Sequence, residues 1–261
     1  MTAGQPEFSF FHHDGLKLAY FAEGDPSGEA ILLVHGFASS ALVNWVQPGW
    51  LKTLGDAGYR VIAIDNRGHG QSDKPHEPEA YHVPLMAADA IALLDHLGIG
   101  AAHLMGYSMG ARISTFAAIA EPHRIQSLIL GGLGIGMITG VGDWDPIADA
   151  LLAGSLDDVV HERGRMFRAF ADKTRSDRLA LAACIRTSRD LVSAEQAAKI
   201  DIPTLIGVGT EDDIAGSAQE LAALMPRAIA LDIPGRDHML AVGDRVFKKG
   251  ALEFLESVTG R

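Results

Sequence analysis

Cysteine is almost missing from this chain: Cys184 stands alone among 261 residues. No internal disulfide can form, which favours a reducing compartment, and the expected location is cytoplasmic. Cations are also in deficit, 22 Lys and Arg against 33 Asp and Glu, for a formal charge of −11. Such a surface repels phosphate backbones and anionic lipid heads, so neither nucleic acid nor a membrane is expected as a partner. No uncharged apolar run reaches the roughly 18 residues of a membrane span. The nearest, Ile125 to Val141, is broken by glycines. Met1 to Phe11 has no cationic start ahead of its short aromatic patch, so a secretory signal is not expected. What the chain does have is apolar mass, 48% of residues, enough for a sizeable core. At roughly 100–200 residues per domain, the length suits one large domain or one domain carrying an insertion.

Short β-type runs alternate with longer helical patterns, the signature of an α/β fold with a mostly parallel sheet and helices on both faces. The clearest strands are Ala30–Val34, Arg60–Ile64, Ala101–Met105, Arg124–Leu130, Thr204–Val208 and Ala228–Ile233. Several are near-continuous apolar runs, as strands buried on both faces should be. Helical patterns cover Gly49–Ala57, Pro84–Leu97, Met109–Glu121, Gly216–Leu224 and Asp244–Ser257. Ahead of them, Phe8–Phe11 and Leu16–Ala22 flank the turn at His13-Asp14-Gly15 and read as an antiparallel hairpin at the sheet edge. From Gly131 to Ile202 the strand signal stops. A glycine-rich opening leads there into helical stretches near Pro146–Ala153, Asp157–Ala171, Ser176–Thr187 and Ser193–Lys199. A helical segment of that length cannot sit inside the sheet. Residues 1–130 and 203–261 are therefore expected to form the core, and residues 131–202 a helical lid over the C-terminal edge of the strands, where open α/β sheets keep their sites.

Three stretches just after strands carry the residue types of nucleophilic catalysis. Gly106-Tyr107-Ser108-Met109-Gly110 matches Gly-x-Ser-x-Gly. A random chain of this composition would hold about 0.2 such matches, so the pattern alone is weak. Its place between an apolar strand and a helix is what lifts it: flanking glycines allow a turn tight enough to raise Ser108 above the sheet. A serine hydroxyl needs a base. Of the 11 histidines, His238 lies just past the last strand, in a loop that projects over the same edge. A carboxylate must hold the imidazole, and Thr210-Glu211-Asp212-Asp213 comes after the strand at Thr204–Val208. The order Ser108, then Asp212 or Asp213, then His238 is that of a hydrolytic triad.

Five motifs in order resemble those of the α/β-hydrolase superfamily. They are His35-Gly36-Phe37, Asp65-Asn-Arg-Gly-His-Gly-Gln-Ser72, Gly106–Gly110, Gly209-Thr-Glu-Asp212 and Gly235-Arg-Asp-His238. The chain is similar, over essentially its whole length, to a lidded member in the branch of small esterases, lactonases and cofactor-free haloperoxidase-like enzymes. The resemblance implies an eight-stranded sheet, Asp212 as the acid with Asp213 the alternate, and an oxyanion hole from the backbone N–H groups of Phe37 and Met109. Gly36 would let that loop come close. His35, Arg67 and His69 are expected to hold loops rather than touch substrate. Relatives that open epoxides or remove halides carry Asp at the elbow, where this chain has Ser108. Carbon–carbon bond hydrolases of the family usually carry Trp after the catalytic His, where this chain has Met239.

The expected reaction is cleavage of a small-molecule carboxylic ester with small to medium acyl chains through an acyl-enzyme on Ser108, with no cofactor. An enol-lactonase or a carbon–carbon bond hydrolase with the same triad is the alternative, and a ligand-binding relative the reading from another class. Activity should rise with pH on a limb near about 6.5–7, because the base must be neutral. Gly36, Met137, Ile138, Trp144, Phe167 and Met239 are the expected substrate-binding residues, with Ile135, Val141, Met166 and Phe170 nearby. Arg163, Arg165, Arg168 and Arg175 are candidates for a guanidinium turned inward, which keeps an anionic lactone substrate open. No Gly-x-x-x-x-Gly-Lys and no Gly-x-Gly-x-x-Gly is present, so phosphate-loop and dinucleotide readings find no support. His12-His13 and His161-Glu162 lack metal-ligand spacing, Arg165 standing where a second histidine would be needed, and no metal is expected. The sequence leaves a homo-oligomer open.

Overall fold

The computed structural model describes residues 6–260. Residues 1–5, on which the expected core segment and the expectation of no secretory signal partly fall, lie outside the described part. Eight strands form one sheet: β1 (Ser9–His13), β2 (Leu16–Glu23), β3 (Ala30–Val34), β4 (Arg60–Ile64), β5 (Ala102–Tyr107), β6 (Ile125–Gly131), β7 (Thr204–Gly209) and β8 (Ala228–Ile233). Their spatial order is β1-β2-β4-β3-β5-β6-β7-β8. The β1–β2 hairpin is antiparallel and attaches antiparallel to β4, while every other pairing is parallel.

Strand side chains alternate between the two faces, and this sheet buries both. Along β3, Leu32 and Val34 enter one apolar cluster while Ile31 and Leu33 enter the other. The first cluster is covered by α2 (Val83–His96), α3 (Met109–Ala120) and the short α9 (Ala218–Ala222), which contribute Met86, Leu93, Ile113 and Leu221. The second lies under α1 (Trp50–Asp56) and α10 (Arg245–Thr259), through Trp50, Leu54, Phe247 and Ala251. Each fully buried Leu, Ile or Phe contributes about 1.5–3 kcal/mol of transfer free energy, which is why these continuous runs become central strands.

The chain leaves β3 for β4 on one side and later reaches β5 on the other. The C-terminal ends of β3 and β5 are thus neighbours at the point where the strand order reverses, and a crevice opens there. Between β6 and β7 the chain forms helices only: α4 (Gly136–Thr139), α5 (Asp145–Leu152), α6 (Glu162–Thr174), α7 (Arg178–Thr187) and α8 (Ala194–Ala197). The three longer ones, α5 to α7, pack on each other through Ile147, Leu151, Phe167, Ala171, Leu181 and Ile185. Ala38 and Ile214, from the loops after β3 and β7, join that cluster, so the insertion sits on the crevice.

Several local boundaries differ from the sequence reading. The helix expected from Asp157 begins at Glu162 instead, because Ser155 and Asp158 form a capping box around a separate turn at Leu156–Asp158. His161 Nδ1 then accepts the Gly164 N–H and caps α6. The helix expected over Gly216–Leu224 shrinks to five residues, since Gly216 takes a left-handed φ of 70° and Ser217 caps the helix at Ala218.

Candidate active site

The elbow after β5 is built by crowding. A Cβ on Gly106 would collide with the Gly110 carbonyl, and one on Gly110 with the Val34 carbonyl, so neither position takes a side chain. Between them Ser108 has φ 55° and ψ −116°, a left-handed φ that a non-glycine residue holds only against about 1–3 kcal/mol of strain. Its N–H donates to Gly131 O at 2.8 Å, and its carbonyl accepts the N–H groups of Ala111 and Arg112 in the first turn of α3.

His238 reaches the hydroxyl from the loop between β8 and α10, with Nε2 2.9 Å from Ser108 Oγ. Its Nδ1 lies 2.8 Å from Asp212 Oδ2. The other Asp212 oxygen accepts the N–H groups of Ile214 and Ala215, both at 2.9 Å. Burial alone would raise the Asp212 carboxyl, but the His238 ring and those two amides outweigh it and hold the group below its ordinary value. An ionised Asp212 fixes the tautomer: Nδ1–H donates to it, and Nε2 is left to accept from Ser108. Tyr107 Oη donates to the His238 main-chain carbonyl at 2.7 Å and fixes that loop. The two loops are also laced to each other, Glu211 N–H to Arg236 O at 3.0 Å and Gly235 N–H to Thr210 Oγ1 at 2.8 Å. Asp213, the alternate acid, points outward into an ion pair with Arg163 at 3.0 Å.

Across the crevice from His238 runs the loop after β3. Gly36 N–H donates to Asn44 Oδ1 at 3.0 Å, and Ala38 N–H to His69 Nε2 at 3.1 Å. His35 Nε2 accepts the Asn66 N–H at 3.0 Å. Both imidazoles must be neutral to accept, and burial ensures it, lowering His35 to about 4 and His69 to about 3. Arg67 is held by Asp89 at 2.7 Å, away from the crevice. His35, Arg67 and His69 are thus loop supports. The amide groups of Phe37 and Met109 take no hydrogen-bond partner among the described residues. Met109 opens α3, where the first amides of a helix have no intrahelical acceptor and the dipole favours negative charge.

Two cavities meet at Ser108. One, of about 280 Å³, is walled by Gly36, Val43, Asn44, Met166, Phe167, Phe170, His238 and Met239. The other, of about 210 Å³, is walled by Met109, Arg112, Leu133, Ile185, Ser188 and Arg189. Phe37 and Trp144 belong to both. Of the expected substrate-binding residues, Gly36, Trp144, Phe167 and Met239 are here, but Met137 and Ile138 line neither cavity. The reason is α4: Gly134 and Gly136 N–H donate to Ala215 O, and Ile135 N–H to Ser217 O. That anchorage turns Met137 and Ile138 into the apolar cluster beside the sheet. None of Arg163, Arg165, Arg168 and Arg175 lines either cavity. Arg168, for one, is spent on Asp172 and the Ala150 and Ala153 carbonyls.

The cation that sequence reasoning missed is Arg112. Its only signal was position: four residues after Ser108 on a helix, it falls on the same face. Among the described residues no group of three His, Cys, Asp or Glu side chains could hold a metal ion. No helix there is long and apolar enough to cross a membrane.

Known proteins share this architecture. The alpha/beta hydrolase fold family matches residues 29–192. Over 94% of its length the chain is 26% identical to 97% of a putative 2-succinyl-6-hydroxy-2,4-cyclohexadiene-1-carboxylate synthase of Bacillus subtilis. It is 32% identical to epoxide hydrolase A of Mycobacterium tuberculosis over 48% of this chain, which is only 38% of that protein. Among solved structures, a hydrolase from Pseudomonas aeruginosa superimposes over 100% of both chains with a TM-score of 0.74 and 27% identity.

Proposed function

The chain belongs to the alpha/beta hydrolase fold family, and from that premise we propose that it is a serine hydrolase cleaving carboxylic esters of small to medium acyl chains. The observation that carries this reading is the unbroken line of hydrogen bonds from Asp212 through His238 to Ser108, 2.8 and 2.9 Å long. In the reaction, Ser108 Oγ attacks the ester carbonyl while His238 Nε2 takes its proton. Asp212 holds the ring and stabilises the imidazolium. The tetrahedral oxyanion lies on the N–H groups of Phe37 and Met109, a pair of donors able to supply several kcal/mol. His238 protonates the leaving alkoxide, then activates a water that cleaves the acyl-enzyme. The helical insertion, residues 131–202, acts as the lid that closes the two cavities over the ester and limits water entry.

Nucleophile chemistry separates this reading from epoxide hydrolysis. Ring opening by a serine oxygen would leave an alkyl ether, with no carbonyl for water to attack, and the enzyme would stop after one turnover. An acyl group on the same oxygen is an ester, which water can release. An enol-lactonase or a carbon–carbon bond hydrolase uses the same three residues and is the second reading.

The test is hydrolysis of p-nitrophenyl esters from acetyl to decanoyl by the wild type and Ser108→Ala. Turnover peaking at one acyl length and falling by at least about 10⁴-fold in the variant is the expected result. No turnover at any length, with Ser108 still labelled by a phosphonate, would move the assignment to a lactonase or to carbon–carbon cleavage. No labelling either would leave a ligand-binding protein.

A further inference from the structure

The two cavities at Ser108 differ in what they share with the proton-transfer machinery. The larger has His238 in its wall and is otherwise mostly apolar, with Val43, Met166, Phe170 and Met239 beside Ser39 and Asn44. The smaller does not include His238. In ester hydrolysis by this triad, the leaving oxygen must come within roughly 2.6–3.2 Å of His238 Nε2 to receive its proton. The group on that oxygen therefore extends into the cavity that His238 walls. The acyl chain, on the other side of the same carbon, is left with the smaller cavity.

That smaller cavity has a cation in its wall that no carboxylate among the described residues bonds directly. The Arg112 side chain is buried, its residue 4% exposed. Its donors reach main-chain carbonyls only: Nη1 to Asp190 O at 2.8 Å and Met137 O at 3.3 Å, Nη2 to Gly136 O at 3.2 Å. The Asp190 carboxylate is turned elsewhere and accepts the Val83 N–H at 2.8 Å. Burial lowers the Arg112 guanidinium to about 10 against the through-space pull of the Asp190 carboxylate, which still leaves it charged at neutral pH. Arg189 brings a second guanidinium to the same cavity from the end of the insertion, resting on Asp145 at 2.6 Å. A buried charge with dipoles around it and no carboxylate bonded to it is costly, and an anionic group in the cavity would relieve that cost. The volume sets a scale: about 210 Å³ holds about seven water-sized groups at ~30 Å³ each, the span of a four- to five-carbon diacid chain.

We infer that the smaller cavity is the acyl pocket and that its acyl group ends in a carboxylate, so that the substrate is a monoester of a short dicarboxylic acid with an apolar alcohol. The inference rests on the ester-hydrolase reading and deepens it. The chemistry balances without a further reactant. Ser108 Oγ forms the new ester bond, and the alcohol leaves with the proton held by His238. Water then adds to the acyl-enzyme, Ser108 recovers its proton, and the dicarboxylate departs.

Three esters decide the matter: monobenzyl glutarate, benzyl pentanoate, in which a methyl group replaces the free carboxylate, and 4-(phenylacetoxy)butanoate, which places the carboxylate on the alcohol side. The expected kcat/KM for monobenzyl glutarate exceeds that for the other two by at least tenfold. In Arg112→Met and, independently, in Arg189→Gln, the ratio of monobenzyl glutarate to benzyl pentanoate falls at least fivefold. Taking the ratio removes any general loss from untying the three carbonyls that Arg112 holds, and Arg189→Gln leaves those bonds in place. Turnover of benzyl pentanoate with no preference for the glutarate overturns the pocket assignment and leaves the ester-hydrolase reading standing. Preference for the third ester reverses the two sides and equally overturns it. Failure of all three, with the protein folded, removes the ester-hydrolase reading and this inference with it.

Discussion

The two walls of the crevice are held by different physics. The platform loops after β3, β4, β7 and β8 are tied by buried, mutually dependent hydrogen bonds: Asn44 to Gly36, His69 to Ala38, Asp212 to Ile214 and Ala215, Tyr107 to the His238 carbonyl. Beyond the hydrogen bonds that anchor α4 and the carbonyls that Arg112 and Arg168 hold, the helical insertion is held by apolar packing and by ion pairs at its surface, Arg163 to Asp213, Arg186 to Asp149 and Arg189 to Asp145. Buried polar networks are strong because each missing partner strands another group in low dielectric, whereas surface pairs are screened and exchange freely with water. Positions that must be accurate to a few tenths of an ångström sit on the first kind of wall. Positions that set which molecule fits sit largely on the second.

The sharpest way to break this contrast is at the acid turn, where adjacent carboxylates belong to the two walls. Asp212→Asn keeps the shape but takes away the acceptor that fixes the His238 tautomer, and kcat should fall by about 10⁴-fold. Asp213→Asn removes only an exposed partner of Arg163 and should leave kcat within about threefold. Steady-state kinetics on one ester suffices. Equal losses in both variants would mean that the turn acts as a unit and that the Asp212 geometry is not special.

A second, intermediate effect concerns stability against acid. His35 and His69 are buried neutral acceptors with values lowered to about 4 and about 3, against an ordinary value of 6.5. Below that ordinary value the unfolded chain binds protons that the folded one refuses, so stability is complete above about pH 6.5 and drains away as pH falls toward the folded values. Each histidine should account for on the order of 2 kcal/mol between about pH 6.5 and 5. The expected result is a melting temperature that drops by several degrees over this range, with a visibly shallower slope in His69→Gln. An unchanged slope would mean that the imidazole of His69 is not a buried neutral acceptor for the platform loop.

The same division explains what could be read from the residues alone. β3, β4 and β8 have the ends expected for them, because an apolar run bounded by turn residues is a local signal. Ser108, Asp212 and His238 were legible because each comes just after a strand, and parallel strands deliver the loops at their C-terminal ends to one edge. Met137 and Ile138 were not. An apolar residue looks the same whether it faces a cavity or the core, and here the choice is made by bonds from Gly134, Ile135 and Gly136 to residues 215 and 217, some 80 positions away. Arg112 was missed for a related reason. Its identity says nothing about whether a carboxylate will meet it, and only the folded chain turns the Asp190 side chain aside.

The smallest expected effect is also the one that most directly tests whether the insertion is an adjustable wall. Arg163 and Asp213 form an ion pair at the acid turn that ties α6 to the platform, 3.0 Å apart with the Arg side chain 31% and the Asp side chain 78% exposed. An exposed pair of this kind contributes about 0.5 kcal/mol or less, and salt screens it further. Arg163→Ala should therefore move the melting temperature by no more than about 2 °C, and raising the salt of the wild type should reproduce most of that change. Its kinetic signature should appear in KM rather than kcat, because the substitution loosens the cover without touching Ser108, His238 or the donors at Phe37 and Met109. A large loss of kcat would show that the insertion helps to hold the acid turn in place. The two walls would then be one mechanical unit, with the surface of α6 as much a part of the catalytic platform as the loops beneath it.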